Sequence, residues 1–296
     1  MTSLLHVLAA AGVAVLGGGG VRLKPATGPS WVVVPAGPFD MGSSDDERTR
    51  REAACNAELG PEAPTNCERE RFRENMPDER IVILSRYKIG RREVTIGDYR
   101  ACVHAGRCAA TPLLGEDVKL LSDDRSLVGV TWPEARAYCR FVGGRLPTEA
   151  EWEKAARGID GRAWPWGTED HGDAANLGRA LSYALAPVPA MYPPMDGDDA
   201  DGAYAVAAPG VYPRGASPYG ALDMIGNVAE WVEDAFANGY DKLPYVDPVL
   251  ATSKDDLRVV RGAGWRSPRF IAVTFWRDAA RSETRANDRG FRCAKD

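Results

Sequence analysis

Two short amphipathic helices are predicted one after the other between Val130 and Gly158. Their apolar residues recur at steps of three or four, which places them on one face of each helix. The first stripe contains Trp132, Ala135, Cys139 and Val142, and the second contains Trp152, Ala155 and Ala156. The two stripes predict a helical hairpin that packs against a core.

Helix start signals support this assignment. The spacing of a capping box, in which two side chains satisfy free backbone amides, occurs three times: Thr131 with Glu134, Thr148 with Glu151, and Thr95 with Asp98. The last pair predicts a further short helix, which Gly106 ends. Three carboxylates near the second hairpin helix, Glu149, Glu151 and Glu153, are interpreted as helix-start charges.

Short apolar runs bounded by glycine and proline predict strands in the remaining motifs. They lie in residues 31–42, 79–94, 258–265 and 289–296, and a further apolar segment covers residues 270–276. The sequence therefore predicts short strands as well as short helices.

Composition limits the class of protein. The 296 residues are 44% hydrophobic and 27% charged, as in a globular protein of one large domain or two small ones. The net charge of −5 gives no electrostatic case for nucleic-acid binding. The 31 glycines, 21 prolines and 8 tryptophans predict a loop-rich fold held by aromatic side chains.

Residues 1–30 form a separate N-terminal segment in our interpretation. Its first 21 residues are apolar but lack a basic start, so the segment resembles a secretory signal only in part. A disordered tail is the alternative. The glycines at 17–20 break the apolar run, and no stable membrane span is expected. We favour export to a periplasmic or extracellular location.

Six cysteines are compatible with three disulfides, although six allow 15 pairings. Two pairs are close in sequence, Cys55 with Cys67 and Cys102 with Cys108, which leaves Cys139 and Cys293 as a long-range pair. Some of the six could instead be buried thiols. Disulfides would agree with an oxidising compartment and hence with export.

Residues 43–73 differ from the rest of the domain that spans 31–296. They are crowded with acidic residues and arginines and contain Cys55 and Cys67. We interpret them as a surface insertion clipped by its own disulfide, with charges that serve solvation.

Two acidic regions are candidates for cation binding. Residues 172–218 lack periodicity, and their Asp196, Asp198, Asp199 and Asp201 are hard oxygen donors suited to a cation, with a flexible acidic loop as the equal alternative. In residues 219–234, Asp223, Glu230 and intervening carbonyls could converge on calcium. Otherwise Asp223 caps a turn and Glu230 pairs with an arginine. The arginines between Arg258 and Arg292 are interpreted mainly as structural partners of carboxylates.

Seven motifs together resemble the sulfatase-modifying-factor family, whose type member is the formylglycine-generating enzyme. They occur in the family's order and span residues 32–294: Pro35 to Gly42, Arg92 to Thr95, Gly144 to Glu153, Trp164 to Gly167, Gly226 to Trp231, Arg261 to Trp265, and Arg289 to Cys293. The resemblance implies a single compact α+β domain, related to C-type lectins, with much irregular structure.

The resemblance also implies two calcium sites and one disulfide. One site would use Asp223, Glu230 and the carbonyls of Gly226 and Val228. The other would use Asn176, the Leu177 carbonyl, Asp201 and a carbonyl at Ala203 or Tyr204, with a looser match because residues are inserted before Asp201. The family's long-range disulfide corresponds to Cys139 with Cys293.

The catalytic residues of the family do not carry over. The formylglycine-generating enzyme binds copper through two cysteines shortly after an Arg-Gly-Gly-Ser motif, but residues 265–277 contain no cysteine. Ala263 and Gly264 replace the second glycine and the serine of that motif. The iron-dependent sulfoxide synthases of a sister branch need a histidine cluster, whereas this chain has only three dispersed histidines.

Two hypotheses follow for the activity. The favoured one is a non-catalytic, calcium- and disulfide-stabilised module that binds an unidentified protein or peptide through a pocket at Trp265, Arg266 and Arg269, without copper. The alternative is a divergent formylglycine-generating-type enzyme or other oxidase in the same pocket. Its candidate groups, Trp265, Arg269, Arg277 and Arg281, are poor acids and bases. A pocket filled by Phe270 or Trp276 would count against an enzyme.

Overall fold

The computed structural model describes residues 29–59, 67, 73–111, 122–178 and 200–296. Its helices are α1 (Asp45–Leu59), α2 (Ile96–His104), α3 (Trp132–Phe141) and α4 (Glu149–Arg157). The N-terminal residues 1–28, on which the expected signal-like segment falls, lie outside the described residues. Helices α2, α3 and α4 begin at Thr95, Thr131 and Thr148 with complete capping boxes, as the sequence predicts.

Nine strands form three small sheets within the described residues. They are β1 (Trp31–Val34), β2 (Gly37–Met41), β3 (Arg80–Leu84), β4 (Tyr87–Gly90), β5 (Ala229–Ala235), β6 (Leu257–Arg261), β7 (Arg277–Arg281), β8 (Arg289–Phe291) and β9 (Ala294–Lys295). The sheet orders are β1-β4-β9, β2-β3 and β7-β6-β5-β8. All pairs are antiparallel except β5 with β8. The expected single α+β domain with much irregular structure is confirmed.

The core joins α4 to these sheets through large aromatic side chains. Trp152 of α4, Trp231 of β5 and Trp265 after β6 are each no more than 1% exposed. A second apolar cluster packs α2 and α3 around Tyr99, Tyr138 and Phe291. The predicted hairpin stripes on α3 and α4 therefore face the core, because their spacing matches the helical period.

Glutamates of α4 are part of this core, which corrects their interpretation as helix-start charges. Glu151 does serve the capping box, but Glu149 and Glu153 are 2% and 0% exposed. Arg261 lies 3.2 Å from Glu149 and 2.7 Å from Glu153, and Arg277 lies 2.8 Å from Glu149. Buried carboxylates need such partners because desolvation of an unpaired charge is costly. The predicted structural role of the arginines is confirmed here.

Three disulfides connect the six cysteines. Cys55 pairs with Cys67, Cys102 with Cys108 and Cys139 with Cys293, across 12, 6 and 154 positions. The last joins α3 to the segment between β8 and β9 and so fixes the end of the domain to its centre. No helix within the described ranges is long and apolar enough to cross a membrane.

Helix α1 lies in the charged region that the sequence suggests is a solvated insertion. Solvation is the wrong role for two of its charges, because Glu47 and Arg48 are only 7% and 3% exposed. Arg157 of α4 contacts Glu47 at 2.6 Å, and Arg48 donates to the Ser43 carbonyl at 2.7 Å. The helix has few aliphatic residues, so its docking through buried ion pairs leaves no hydrophobic pattern for sequence reasoning to detect.

Candidate functional site

The chain turns sharply between β6 and Trp265. Gly262 and Ala263 both have left-handed backbone, with φ of 94° and 59°. A Cβ on Gly262 would lie 2.9 Å from the Trp152 ring, so only glycine fits there. Ala263 tolerates the conformation at a cost of about 1 kcal/mol, because its Cβ approaches the following carbonyl. The turn directs Trp265 inward, where its indole N–H donates to the Asn287 carbonyl at 3.0 Å.

Apolar side chains fill the segment after Trp265. A 3₁₀ turn at Arg269–Ile271 places Phe270 and Ile271 in the interior, at 5% and 2% exposed. Trp276 is 8% exposed, and all three belong to the same apolar core as Cys55 and Cys67. The family resemblance implies that this segment corresponds to the one in which the formylglycine-generating enzyme carries its cysteines, and in this chain its apolar side chains are buried.

Helix α1 packs directly on this 3₁₀ turn. The two carboxylate oxygens of Glu58, in its last turn, accept hydrogen bonds from the amides of Arg269 and Phe270 at 3.1 and 3.0 Å. Those amides start the 3₁₀ turn and have no partner within it. Burial raises the pKa of Glu58, and the two amide hydrogen bonds oppose that shift. Glu58 therefore connects α1 to the segment at residues 266–276, which we call the covered segment because α1 packs on its 3₁₀ turn.

Further contacts fix α1 at both ends. Near its start, Glu47 pairs with Arg157, and near its end the disulfide joins Cys55 to Cys67. Between them, the guanidinium of Arg51 lies 5.0 Å from the centroid of the Trp164 ring. An ion pair, a covalent bond and a cation–π contact together hold the helix in place over the segment.

The predicted pocket residues are largely committed to structural contacts. Trp265 is 1% exposed and offers no accessible surface. Arg269 pairs with Asp170 at 3.0 Å and donates to the Gly172 carbonyl at 3.2 Å. Arg266 is half-buried and lies near Trp265, with its guanidinium 5.8 Å from the ring centroid.

The remaining candidate groups of the enzyme hypothesis lie elsewhere. Arg277 is 2% exposed and is bound to Glu149, and Arg281 lies on the exposed side of β7. Arg277 therefore belongs to the buried charge network, and Arg281 lies at the surface.

The first predicted calcium site lies in a buried cluster of charges. Asp223 and Glu230 are 5% and 0% exposed, and Arg292 contacts both Glu230 oxygens, with its terminal nitrogen at 2.6 Å from one of them. Trp152 donates a further hydrogen bond to Glu230 at 2.8 Å. The arginine pairing that the sequence left open for Glu230 is therefore present.

A third carboxylate, Glu93, completes the cluster. It is 1% exposed and accepts hydrogen bonds from Ser126, Asn227 and the Val228 amide. Burial raises the pKa of Glu93 well above its ordinary value, and burial likewise raises the pKa of Asp223 to about 6. The three buried carboxyl groups share one guanidinium, and their mutual repulsion adds to the rise of both pKa values. A cation beside Asp223 would favour the ionised form of these groups.

The second predicted calcium site contains an unpaired acceptor. Asn176 Oδ1 is buried and has no hydrogen-bond partner among the described residues, while its amide nitrogen donates to the Ala205 carbonyl at 3.0 Å. Asp201 accepts hydrogen bonds from the amides of Leu177 and Ala203 at 2.7 and 3.0 Å. Carboxylate, amide and carbonyl oxygens are the ligands that calcium prefers, so these residues fit that ion.

Both candidate calcium sites need backbone carbonyl ligands in addition to side chains. No group of three or more His, Cys, Asp or Glu side chains within the described ranges could hold a metal by itself, so each site depends on carbonyl oxygens as well. Asp196, Asp198 and Asp199 lie outside the described residues.

Sequence reasoning missed Glu93 and Asn227 as members of the charge cluster. Both lie within motifs of the family resemblance, and Asn227 has an unusual φ of 62°.

Comparison with known proteins gives a consistent result. Residues 21–296 match the family described as a sulfatase-modifying factor enzyme 1-like domain. The chain is 33% identical over 175 residues to inactive C-alpha-formylglycine-generating enzyme 2 of Bos taurus, covering 57% of this chain and 49% of that protein. It is 36% identical to hercynine oxygenase of Mycobacterium tuberculosis, covering 51% of this chain and 32% of that protein.

The matched segments span about half or less of these relatives' own lengths. The solved structure of PvdO from Pseudomonas aeruginosa superposes with a TM-score of 0.67 at 22% identity, covering 90% of this chain and 94% of that one. At this identity the likeness concerns the fold.

Proposed function

Because the chain belongs to the sulfatase-modifying factor enzyme 1-like domain family, we propose that it is a non-catalytic member that acts as a binding module. The observation that carries the proposal is the covered segment after Trp265. It lacks the cysteine pair that would bind copper, and Phe270, Ile271 and Trp276 fill the space. Without thiolates, this segment offers copper no soft ligands and oxygen no site of activation.

A relative supports the same proposal by its description. The bovine protein that aligns over 57% of this chain is named as an inactive formylglycine-generating enzyme, so the family contains proteins described as inactive. The hercynine oxygenase relative gives less support for iron chemistry here, because the chain has three histidines, dispersed at His6, His104 and His171.

Calcium and disulfides are the proposed sources of stability. The buried Asn176 Oδ1, which has no hydrogen-bond partner among the described residues, and the clustering of Asp223 with Glu93 and Glu230 both favour a bound divalent cation. The three disulfides favour an oxidising compartment, and hence export, because thiols stay reduced in most cytosols.

The activity part of the proposal is tested with purified protein, copper and a cysteine-containing peptide. Mass spectrometry of the peptide should show no conversion of cysteine to formylglycine, while an active formylglycine-generating enzyme converts the same peptide in a parallel reaction. Copper-dependent conversion by this protein would overturn the proposal.

The calcium part is tested separately by thermal unfolding with and without a chelator. We expect the chelator to lower the melting temperature, since a ligand at 100 times its Kd contributes about 2.7 kcal/mol. Asp201→Asn and Asp223→Asn should each remove part of that response, and Asp40→Asn, at an exposed position, should not. An unchanged melting temperature in chelator would contradict the calcium sites and leave the binding-module proposal standing.

A further inference from the structure

The loop between β5 and β6 contains an asparagine followed by a glycine, Asn238 and Gly239. This dipeptide occurs once in the whole sequence. The Asn238 side chain is exposed, and it makes no hydrogen bond with any described residue. The Gly239 amide likewise donates to no acceptor in the described part of the chain. The side-chain amide and the backbone nitrogen that follows it are therefore both available for reaction.

The backbone around Gly239 is open. Its φ is 70°, in the left-handed region that glycine adopts without strain. A Cβ added to Gly239 would have one neighbouring atom within 4 Å, the Asp241 Oδ2 at 3.9 Å. Because glycine has no side chain of its own, nothing on residue 239 hinders the approach of its nitrogen to the Asn238 side chain.

We propose that Asn238 is a site of spontaneous modification by deamidation, to which asparagine is prone as a thermolabile residue. The backbone nitrogen of Gly239 attacks the side-chain carbonyl carbon of Asn238. A carbon–nitrogen bond forms, the bond to the side-chain nitrogen breaks, and ammonia leaves with the proton of the Gly239 amide. Water then opens the cyclic imide at one of its two carbonyls. One opening gives aspartate at position 238, and the other gives isoaspartate, whose main chain runs through the former side chain.

Buried side chains anchor the loop on both sides of the dipeptide. Before it, the Ala237 carbonyl accepts a hydrogen bond from Arg277 at 2.8 Å. After it, Tyr240 is 3% exposed, and its hydroxyl donates to Glu149 at 3.1 Å. The guanidinium of Arg277 also lies 5.0 Å from the centroid of the Tyr240 ring. Both anchors therefore converge on the same buried arginine.

The two products differ in their effect on these anchors. Isoaspartate adds a methylene group to the main chain between Ala237 and Tyr240, so the loop must shift at one of them. Loss of the Ala237 contact would leave Arg277 with a second nitrogen without an acceptor, since its Nε has none among the described residues. Aspartate keeps the original chain length and brings only a charge to an exposed position. Isoaspartate is therefore the destabilising product.

Asn56 provides a matched internal control. It is exposed, like Asn238, but it lies within α1 and is followed by Ala57. The helix commits the Ala57 amide to a backbone hydrogen bond, and the Cβ of Ala57 hinders the attack.

Incubation of the purified full-length protein at neutral and mildly alkaline pH tests the proposal. Peptide mapping by mass spectrometry detects the exchange of the amide nitrogen for oxygen, and electron-transfer fragmentation separates isoaspartate from aspartate. We expect Asn238 to react at least about tenfold faster than Asn56, and Gly239→Ala to slow the reaction by a similar factor, because the added Cβ hinders attack. The rate should rise with pH, since the nitrogen attacks after it loses its proton. Asn238→Ser should leave this peptide unmodified.

Thermal unfolding then tests the role of the anchors. We expect protein enriched in isoaspartate to melt about 2–4 °C below the fresh protein, the shift that the loss of one buried hydrogen bond gives. Freshly prepared Asn238→Asp has the charge without the added methylene and should melt with the native protein.

A rate at Asn238 no higher than at Asn56, or an unchanged rate in Gly239→Ala, would overturn the proposal. Equal melting temperatures of the isoaspartate form and fresh Asn238→Asp would overturn the argument from the anchors.

Discussion

The buried charge cluster around Glu230 and the covered segment after Trp265 differ in the interactions that hold them. In the cluster, Glu230 contacts Arg292 and Trp152, and Glu93 accepts three hydrogen bonds. The covered segment contains no cysteine, and Phe270 and Trp276 are buried in it beneath a helix that an ion pair and a disulfide hold in place. The charge cluster is therefore held by buried charged hydrogen bonds, whereas the covered segment is held by apolar packing.

A disulfide lies next to each region, Cys139–Cys293 beside the charge cluster and Cys55–Cys67 in the helix over the covered segment, so the two contributions to stability can be compared. We expect Cys139→Ala with Cys293→Ala to lower the free energy of unfolding by about 5 kcal/mol and Cys55→Ala with Cys67→Ala by about 3 kcal/mol, since the entropy of the unfolded chain depends on loop length. The loops span 154 and 12 positions. Urea unfolding measures both, and an equal or larger loss for the second pair would contradict this ranking.

Removal of the guanidinium from the charge cluster should be nearly as damaging. Arg292 is 0% exposed and also donates to the carbonyls of Gly90 and Leu222. Arg292→Met leaves the buried Glu230 carboxylate without its cation, and we expect a loss of about 3–5 kcal/mol by urea unfolding. Arg281→Met, at an exposed position, should change stability by less than about 0.5 kcal/mol. A loss under 1 kcal/mol for Arg292→Met would mean that the cluster does not hold the fold.

The scaffold should also respond to pH through Asp234. Burial, followed by the charge of Glu149, raises the pKa of Asp234 to about 7 from 3.8. The folded state binds this proton more tightly than the unfolded state, so the contribution of Asp234 is largest at low pH and is lost as the pH rises from about 4 to 7.

Asp234→Asn removes that proton-binding difference. Relative to this variant, the native protein should lose at most about 4 kcal/mol across the window, at 1.36 kcal/mol per pKa unit. Urea unfolding at several pH values gives the comparison. Parallel stability curves for the two proteins would show that Asp234 does not titrate in this range.

The cover should make the smallest contribution to global stability. Glu58 is exposed, and Glu58→Gln keeps one oxygen acceptor, so we expect a loss of about 0.5–1 kcal/mol. Glu52→Gln on the same helix is the matched control and should have no measurable effect. A loss as large as that of Arg292→Met would mean that α1 is part of the scaffold rather than a cover on it.

Sequence reasoning succeeded where local chemistry determines structure. The capping boxes at Thr95, Thr131 and Thr148 placed three helices, because their partners lie three residues away. Motif order identified the fold class, and the even number of cysteines with two close pairs suggested the disulfides. These signals are short-range or compositional, so no long-range contact was needed to find them.

Sequence reasoning failed where distant residues neutralise each other. Arg157 pairs with Glu47 across 110 positions, and Arg261 with Glu149 across 112, so neither glutamate could be recognised as buried from its neighbours in sequence. The same limit concealed the role of Glu58, 211 positions from Arg269.

Hydrogen exchange at the amides of Arg269 and Phe270 tests the central claim most directly. Both amides donate to Glu58, so in the native protein they should be protected, and Glu58→Gln should lower that protection while the Trp265 amide, which donates to the Asn227 carbonyl, keeps its own. Free exchange of the Arg269 and Phe270 amides in the native protein would mean that the segment is open, and would contradict the account of a retained scaffold with a closed site.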